Sequence, residues 1–192
     1  MTMLLALCAA LAPGDGEPTP LLDSVALEHE EWRLRLELGI HGHYFDGALN
    51  LAADYGPYVQ ASFNVFERLW VFGEFRHVDT VFEVPGPNPA APGIDVDTWL
   101  FGVQGIRPVT DFSYIALRLG AGRQRFEVNA PGGAEVEEPA AIAGISFLAS
   151  EEYWYVRIGA DAEYTRTTFN QPGGAKETMI NYVLAFTFGV QF

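Results

Sequence analysis

Apolar and polar residues alternate along the chain from residue 32 onward. In the segment WRLRLELGI, for example, Leu34, Leu36 and Leu38 occupy every second position, and Arg35 and Glu37 lie between them. Because successive side chains of a β-strand point to opposite sides, this period predicts strands with one apolar and one polar face. We expect eight strands, in the segments WRLRLELGI, YVQASFNV, LWVFGEFRH, DTWLFGVQG, SYIALRLGAGRQ, AAIAGISFLA, YWYVRIGADAEYT and NYVLAFTFGVQF.

The predicted connections alternate in length. Those near residues 67, 109 and 151 are short, whereas 45–56, 85–94, 128–138 and 169–177 are longer and carry Pro, Gly or charged residues. An even number of strands with short turns at one end and long loops at the other is typical of outer-membrane barrels. Most of the strands also reach the roughly 9–11 residues that a tilted membrane-spanning strand requires. We therefore predict an all-β fold, an eight-stranded antiparallel up-and-down transmembrane β-barrel.

The size of the apolar side chains indicates which face of the sheet points inward. An eight-stranded barrel has an interior just wide enough for side chains to fill, and the apolar faces carry many large rings, among them Phe101, Trp154 and Phe186. The opposite faces are rich in Gly, Ala, Ser and Thr, which a narrow interior accepts. We therefore expect a membrane barrel with its apolar faces outward, rather than a soluble barrel with its apolar faces inward.

The same orientation places the charged strand residues in the interior. An Arg that faces lipid at the bilayer midplane costs about 2–4 kcal/mol, and the predicted orientation avoids this cost. Arginines and carboxylates are then nearly balanced, as a water-poor interior needs, because buried charges are tolerated when they are paired and hydrogen-bonded. The predicted interior charge network comprises Arg33, Arg35, Glu37, Glu74, Arg76, Arg118, Arg157, Asp161 and Glu163.

Aromatic residues near the strand ends predict two interfacial girdles. They are Trp32, Trp70 and Trp154 near the short turns, and Trp99, Phe126, Tyr164 and Tyr182 near the long loops. The third strand is an exception, because Trp70 and Phe72 share the parity of Glu74. We expect a bulge in this strand, or a position at the rim of the barrel, to reconcile them.

Charge and hydropathy exclude two classes of protein. The formal net charge is -14 and the chain has no cluster of basic residues, so we expect no nucleic-acid partner. No run of about 18 uncharged apolar residues follows the N-terminus, so we expect no transmembrane helix. The acidic residues concentrate in stretches such as LEHEEW and GGAEVEEP, which predicts acidic, solvated surface loops.

The N-terminal residues predict a targeting segment. Met3 to Ala12 form a short apolar core, and Ala10 to Ala12 offer the small-x-small pattern of a secretory cleavage site. Lipidation of Cys8 is an alternative, although Leu7 fits a lipoprotein signal poorly. We predict a signal peptide at 1–12, a linker or extramembrane segment at 13–30, and an outer-membrane β-barrel domain at 31–192.

The C-terminal strand resembles the assembly signature of bacterial outer-membrane barrel proteins. The residues that carry the resemblance are Leu184, Phe186, Phe188, Val190 and the final Phe192. In architecture, residues 32–192 are similar to the small eight-stranded barrels of the OmpA/OmpX type. The resemblance implies the outer membrane of a Gram-negative bacterium, with the long loops extracellular and both termini periplasmic. It also implies outer-membrane lipids, lipopolysaccharide and the barrel assembly machinery as partners, and a monomer.

Three groups of residues have the types that catalysis or ligand binding uses. His41 and His43, with Asp46 nearby, have a spacing that suits zinc, but polar residues at a loop mouth explain them better. His77 and Asp79 share a face, as a hydrolytic triad requires, yet no sequence element fixes a serine beside them. The glycines of GAG at residues 120–122 lie inside a predicted strand, where small interior residues are expected rather than a phosphate-binding loop.

Function is less well determined by the sequence than fold. We predict no catalytic, cofactor or metal site, and no enzymatic activity. The leading hypothesis is a non-enzymatic barrel with a charge-plugged interior and acidic surface loops, in a structural or surface-interaction role. A narrow pore for ions or small solutes is the alternative, since interior charges can also line an ion path. An enzyme that modifies lipid A is less expected, because the fold alone does not confer function.

Overall fold

The eight predicted strands form a closed antiparallel barrel in which each strand pairs with the next and β1 pairs with β8. The computed structural model describes residues 34–47, 51–66, 68–82, 92–130, 132–167 and 177–192. The strands are β1 (Leu34–Gly47), β2 (Asp54–Phe66), β3 (Leu69–Val81), β4 (Gly93–Thr110), β5 (Ser113–Asn129), β6 (Glu135–Ser150), β7 (Trp154–Thr167) and β8 (Glu177–Gln191). The predicted fold class is therefore confirmed. No helix in the described part of the chain is long and apolar enough to cross a membrane.

Burial alternates along the strands as the sequence pattern predicts. In β1, Leu36 and Leu38 are 43% and 65% exposed, whereas Arg35 and Glu37 are each 1% exposed. The first and last strands are joined at their ends by backbone hydrogen bonds, with the Leu34 N–H donating to the Phe192 carbonyl at 3.2 Å and the Phe192 N–H to the Leu34 carbonyl at 2.9 Å. Closure leaves no strand edge unpaired, which a membrane-spanning sheet requires.

Two of the predicted long loops are shorter than the sequence suggests. β1 continues to Gly47 and β2 begins at Asp54, and likewise β5 continues to Asn129 and β6 begins at Glu135. Backbone pairing does not depend on side-chain polarity, so charged residues such as Glu137 extend the sheet instead of entering a loop. The acidic stretch GGAEVEEP therefore lies largely in a strand.

The barrel interior is filled at both ends by apolar side chains. The short-turn cluster lies near the short connections and consists of Trp70, Ile106, Tyr114, Ala116, Leu148 and Tyr155. The long-loop cluster lies at the opposite end and consists of Phe45, Leu51, Val78, Ile94, Val96, Phe126 and Met179. Between them lie the polar part of the interior and a third apolar cluster, which consists of Phe72, Leu100, Ala140 and Ile142.

Two of the predicted girdle residues, Trp70 and Phe126, lie in the interior instead. Trp70 and Phe72 are each 3% exposed and lie in the interior on the same side of β3 as Glu74. β3 pairs with β4 in unbroken register from Leu69 to Val81, but its pairing with β2 shifts register between Asn64 and Phe66, opposite Trp70 and Leu69. An irregularity therefore lies beside Trp70, at the short-turn end of β3, while both rings still face the interior. Phe126 is 0% exposed and belongs to the long-loop cluster rather than to a girdle.

The other predicted girdle residues that the structure describes do face outward. They are Trp99, Trp154, Tyr164 and Tyr182, which are 37%, 41%, 44% and 49% exposed. Trp32 and Arg33 lie outside the described residues, as do the predicted signal peptide and linker at 1–12 and 13–30. The assignment of these segments stays a prediction.

Candidate functional site

The candidate functional site is the polar interior of the barrel. Arg33 apart, the structure describes every member of the predicted charge network, and each is buried with at most 5% exposure. Arginines and carboxylates are equal in number within this described set. They are Arg35, Arg76, Arg118 and Arg157, with Glu37, Glu74, Asp161 and Glu163.

Two arginines and two carboxylates meet at the centre of the barrel. Arg118 contacts Glu74 through Nη2, and its Nε lies 3.3 Å from Asp161 Oδ1. Arg76 Nη2 lies 2.6 Å from Glu74 Oε1 and 2.5 Å from Asp161 Oδ2. Each carboxylate therefore contacts both arginines. These contacts join β3, β5 and β7, which are not neighbours in the sheet.

Glu163 extends the network toward the long loops. Its Oε1 accepts hydrogen bonds from Gln124 Nε2 at 2.6 Å and from Asn181 Nδ2 at 3.1 Å. Its Oε2 accepts one from Arg76 Nη1 at 3.3 Å. Since all these groups are buried, the hydrogen bonds replace the water that the carboxylate gives up on folding.

Glu37 occupies the equivalent position toward the short turns. Its Oε2 accepts hydrogen bonds from Arg157 Nε at 2.7 Å and from the Thr187 hydroxyl at 2.9 Å. Its Oε1 accepts them from the Tyr155 hydroxyl at 2.8 Å and from Gln60 Nε2 at 3.1 Å. Four donors from three strands thus surround one carboxylate.

Aromatic residues complete the interior network, and the sequence analysis did not assign them to it. The Tyr58 hydroxyl lies 2.6 Å from Gln60 Oε1 and 2.8 Å from Glu74 Oε2, and it accepts a hydrogen bond from Arg118 Nη1 at 3.0 Å. The Arg35 guanidinium lies 4.2 Å from the centroid of the Trp70 ring, within the range of a cation–π interaction. Strand parity, which Tyr58 shares with Gln60, is the signal that could have identified these side chains.

The His41, His43 and Asp46 group does not assemble. Both histidines point into the interior and are 1% and 2% exposed, whereas Asp46 faces outward. His41 Nε2 lies 3.2 Å from the His77 carbonyl oxygen, and the His43 ring stacks on Phe45 with 4.2 Å between the ring centroids. Among the described residues, no group of three or more His, Cys, Asp or Glu side chains is arranged to hold a metal ion.

The proposed hydrolytic group at His77 also lacks a nucleophile among the described residues. His77 lies on the outer surface, where its Nδ1 is 2.7 Å from Asp97 Oδ1 and its Nε2 is 3.4 Å from Asp79 Oδ1. The serines that the structure describes are Ser62, Ser113, Ser146 and Ser150, and all are buried. His77 is therefore held by carboxylates on the opposite side of the wall from every described serine.

His77 belongs to a charged region of the outer surface, of which the sequence analysis had assigned Glu135 and Glu137 to a loop. We call it the outer charged patch, formed by His77, Asp79, Asp95, Asp97, Arg123, Arg125, Glu127, Glu135 and Glu137 on β3 to β6. It begins directly beyond the outward-facing pair of Phe75 and Trp99, whose ring centroids are 5.6 Å apart. On the short-turn side of this pair, the next outward residues of β3 and β4 include Val71 and Phe101, which are 40% and 72% exposed.

The glycines of the GAG segment and the C-terminal residues lie as their parity predicts. Gly120 and Gly122 are within β5, with Gly120 close to the Phe72 ring in the interior. Leu184, Phe186, Phe188 and Phe192 face outward with exposures of 66%, 53%, 52% and 61%, and Val190 is half-buried on the same face. Their recognition by an assembly machinery stays a prediction.

The barrel is similar to solved structures of bacterial outer-membrane proteins. Neisserial surface protein A matches with a TM-score of 0.65 and 10% identity, over 83% of this chain and 97% of that one. OprG from Pseudomonas aeruginosa matches with a TM-score of 0.59 and 11% identity, over 84% and 96%. The attachment invasion locus protein Ail of Yersinia pestis, in complex with the heparin analogue sucrose octasulfate, matches with a TM-score of 0.54 and 13% identity, over 84% and 99%.

Comparison of sequences finds no match, whereas comparison of structures does. No family model matches the chain, and no curated protein matches it. At these low identities the structural likeness establishes the fold alone. The chain therefore has the fold of the small eight-stranded outer-membrane β-barrel proteins.

Proposed function

We propose that the chain is a non-enzymatic outer-membrane barrel protein with a closed interior, which has a structural role or presents its outer surface to other molecules. Its location in the outer membrane of a Gram-negative bacterium is supported by the outward-facing apolar side chains and by the fold. The alternation of short turns and longer loops supports extracellular long loops and periplasmic termini, as in barrels of this type.

The closed interior is the observation that carries this proposal. In the middle, the Arg118 and Arg76 guanidinium groups contact Glu74 and Asp161 directly. Toward each end lies a buried apolar cluster, with Phe126 at 0% exposure in one cluster and Tyr155 at 0% in the other. An ion would have to pass two apolar layers and break paired charges, and both steps are unfavourable.

The outer charged patch supports a role at the surface. Six carboxylates and two arginines face outward beyond the Phe75–Trp99 pair, on strands that continue past the apolar band. Charged, exposed side chains on a rigid sheet offer a pre-ordered contact surface. Two of the structurally similar proteins are named for the cell surface or for attachment, and a surface role of this kind fits the patch.

The proposed location in the outer membrane implies which molecules the protein contacts. We propose that the apolar band contacts outer-membrane lipids and lipopolysaccharide, that the protein inserts as a monomer, and that the barrel assembly machinery reads the C-terminal strand. The outward direction of Leu184, Phe186 and Phe188 supports the last of these. Heat-modifiable gel migration of protein extracted from isolated outer membranes tests the fold and the location together.

Planar-bilayer recording tests the closed interior. We expect the folded protein to give no steady unitary conductance, because paired charges and two apolar clusters fill the bore. Steady conductance steps that change with Arg157→Ala, but not with the outward-facing Arg123→Ala, would instead establish the narrow-pore alternative. Unchanged lipid A profiles in cells with and without the protein are expected if it has no lipid-modifying activity.

A further inference from the structure

A groove on the outer surface of the barrel lies at the level of the tyrosines near the long loops. Its volume is ≈ 360 Å³, and we call it the tyrosine groove. The residues that define it are Gly42, Tyr44, Asp54, Tyr55, Tyr182 and Leu184, on β1, β2 and β8. It is formed by the outer side of the barrel wall, where Ala53 and His43 also line it, although the His43 side chain is buried.

Gly42 creates the groove. Its register partners on the two sides are Tyr55 and Leu184, which are 75% and 66% exposed. A Cβ atom added at Gly42 would meet nothing within 4 Å. A missing side chain between large neighbours therefore leaves a recess open to the outside.

The lower end of the tyrosine groove continues into the apolar band. Ile40 and its register partner Phe186 come next on the same outer face, and they are 59% and 53% exposed. Leu184 lines the groove itself. These side chains form an apolar surface along which the hydrocarbon chain of a bound lipid could lie.

The upper end has the composition of a site for a cationic amine. Three exposed tyrosine rings stand around it, and the centroids of Tyr44 and Tyr182 are 6.4 Å apart. Asp54 lies at the edge, with Oδ1 accepting the Tyr55 N–H at 2.8 Å. Among the described residues that line the groove there is no Lys or Arg. Aromatic faces and a carboxylate attract ammonium groups and disfavour anionic headgroups.

We propose that the tyrosine groove binds a single amphiphile with a zwitterionic headgroup that carries an ammonium group, in preference to the anionic lipopolysaccharide that the proposed placement puts around it. The ammonium group lies among Tyr44, Tyr55 and Tyr182 beside Asp54, and the hydrocarbon chain follows Leu184 and Phe186. This site rests on the proposed membrane placement, because the lower part of the groove faces hydrocarbon only in that placement. Tyrosine suits the level, since its ring is apolar and its hydroxyl reaches the polar headgroup layer.

Dodecylphosphocholine is the probe that tests the site. The full chain is folded in dodecyl maltoside micelles, and tyrosine ring NMR signals are followed as the probe is added. We expect saturable shifts of the Tyr44, Tyr55 and Tyr182 signals. Dodecylphosphoglycerol, which lacks the quaternary ammonium group, is expected to bind at least about fivefold more weakly, given the usual strength of cation–π contacts.

Variants separate the groove from general lipid contact. Gly42→Leu fills the recess and is expected to weaken binding about tenfold or more, since the added side chain takes the volume of the bound chain. Asp54→Asn is expected to remove most of the preference for the ammonium-bearing probe. Ala121→Leu adds the same bulk at an exposed position on β5 and is the matched control, with binding unchanged.

The possible results are distinguishable. Equal affinity for the two probes would overturn the recognition of an ammonium group, and unchanged binding by Gly42→Leu would overturn the groove as the site. If the protein shows heat-modifiable migration and inserts into membranes but does not bind the probe, only this inference fails. Failure to insert would instead refute the proposed membrane placement.

Discussion

Arg118 and Arg125 lie on the same strand, β5, but they face opposite sides of the barrel wall. The Arg118 side chain is 0% exposed and contacts carboxylates on β3 and β7, which are not neighbours of β5 in the sheet. The Arg125 side chain is 34% exposed and contacts Glu127 on its own strand and Glu135 on the adjacent strand β6. One alternation therefore produces two electrostatic environments with different structural consequences.

Apart from the Arg76–Glu74 contact within β3, the interior ion pairs join strands that are not neighbours, whereas the outer ion pairs join residues of one strand or of adjacent strands. Arg76 on β3 lies 3.3 Å from Glu163 on β7, and Arg157 on β7 lies 2.7 Å from Glu37 on β1. The outer pair of Arg123 and Glu137 joins strands that are neighbours in the sheet. Removing an interior charge should thus cost far more than removing an outer one, because water compensates only the outer residue.

The largest effect is expected for Arg118→Met. This change leaves Glu74 and Asp161 buried with less positive charge around them, and breaking such a buried pair costs about 3–5 kcal/mol. Urea unfolding in lipid vesicles, followed by tryptophan fluorescence, measures the loss of unfolding free energy.

Arg123→Met is the matched control for Arg118→Met. The Arg123–Glu137 pair has N···O of 2.9 Å, but its side chains are 68% and 47% exposed, so we expect a loss under about 1 kcal/mol. Equal losses in the two variants would contradict the contrast between the two sides of the wall. The double variant with Arg118→Met and Glu74→Gln should recover part of the loss, since it removes one uncompensated charge.

Strand parity explains which features the sequence could predict. Alternation placed Arg35, Glu37 and the other described network residues on the side where the structure has them, and it determined the strand number. The sequence period shows which side of the barrel wall a residue faces. It does not show the level of the residue along the barrel axis or its partner across the interior. The contact of Glu37 with Arg157 and that of Arg118 with Glu74 therefore appear only when the barrel closes.

In two errors of the sequence analysis, the residue type was given more weight than strand alternation or backbone pairing. Trp70 was expected in a girdle because aromatic residues favour the membrane interface, but its parity was the better guide, since the ring packs against the Arg35 guanidinium. Glu135 and Glu137 were expected in a loop because they are acidic. They lie in β6 because backbone hydrogen bonding extends the sheet beyond the apolar band.

An arginine introduced into the apolar band should have an intermediate effect. Phe101→Arg places a charge on the outer side of β4 below the Phe75–Trp99 pair, and we expect a loss of about 2–4 kcal/mol in unfolding free energy if the site is near the midplane. Val81→Arg is the control, because Val81 lies outward at the far end of β3, beyond the band, and should change stability by less than about 0.5 kcal/mol. Similar unfolding curves for the two variants would show that position 101 does not face hydrocarbon.

The smallest effect concerns the outer charged patch, where His77 lies beyond the membrane-spanning part of β3. The hydrogen bond from the His77 ring to Asp97 raises the pKa of His77, with Asp79 and Asp95 adding negative charge nearby and Arg125 standing opposite Asp97 in the register. A pKa raised by folding stabilises the protein below the ordinary histidine pKa, and this stabilisation is lost as the pH rises through the folded value.

Asp97→Asn should therefore lower the pKa of His77, measured from its ring signals in an NMR titration. Asp111→Asn, in a short turn at the other end of the barrel, should leave that pKa unchanged. A His77 pKa that did not respond to Asp97→Asn would show that this hydrogen bond is not what raises it.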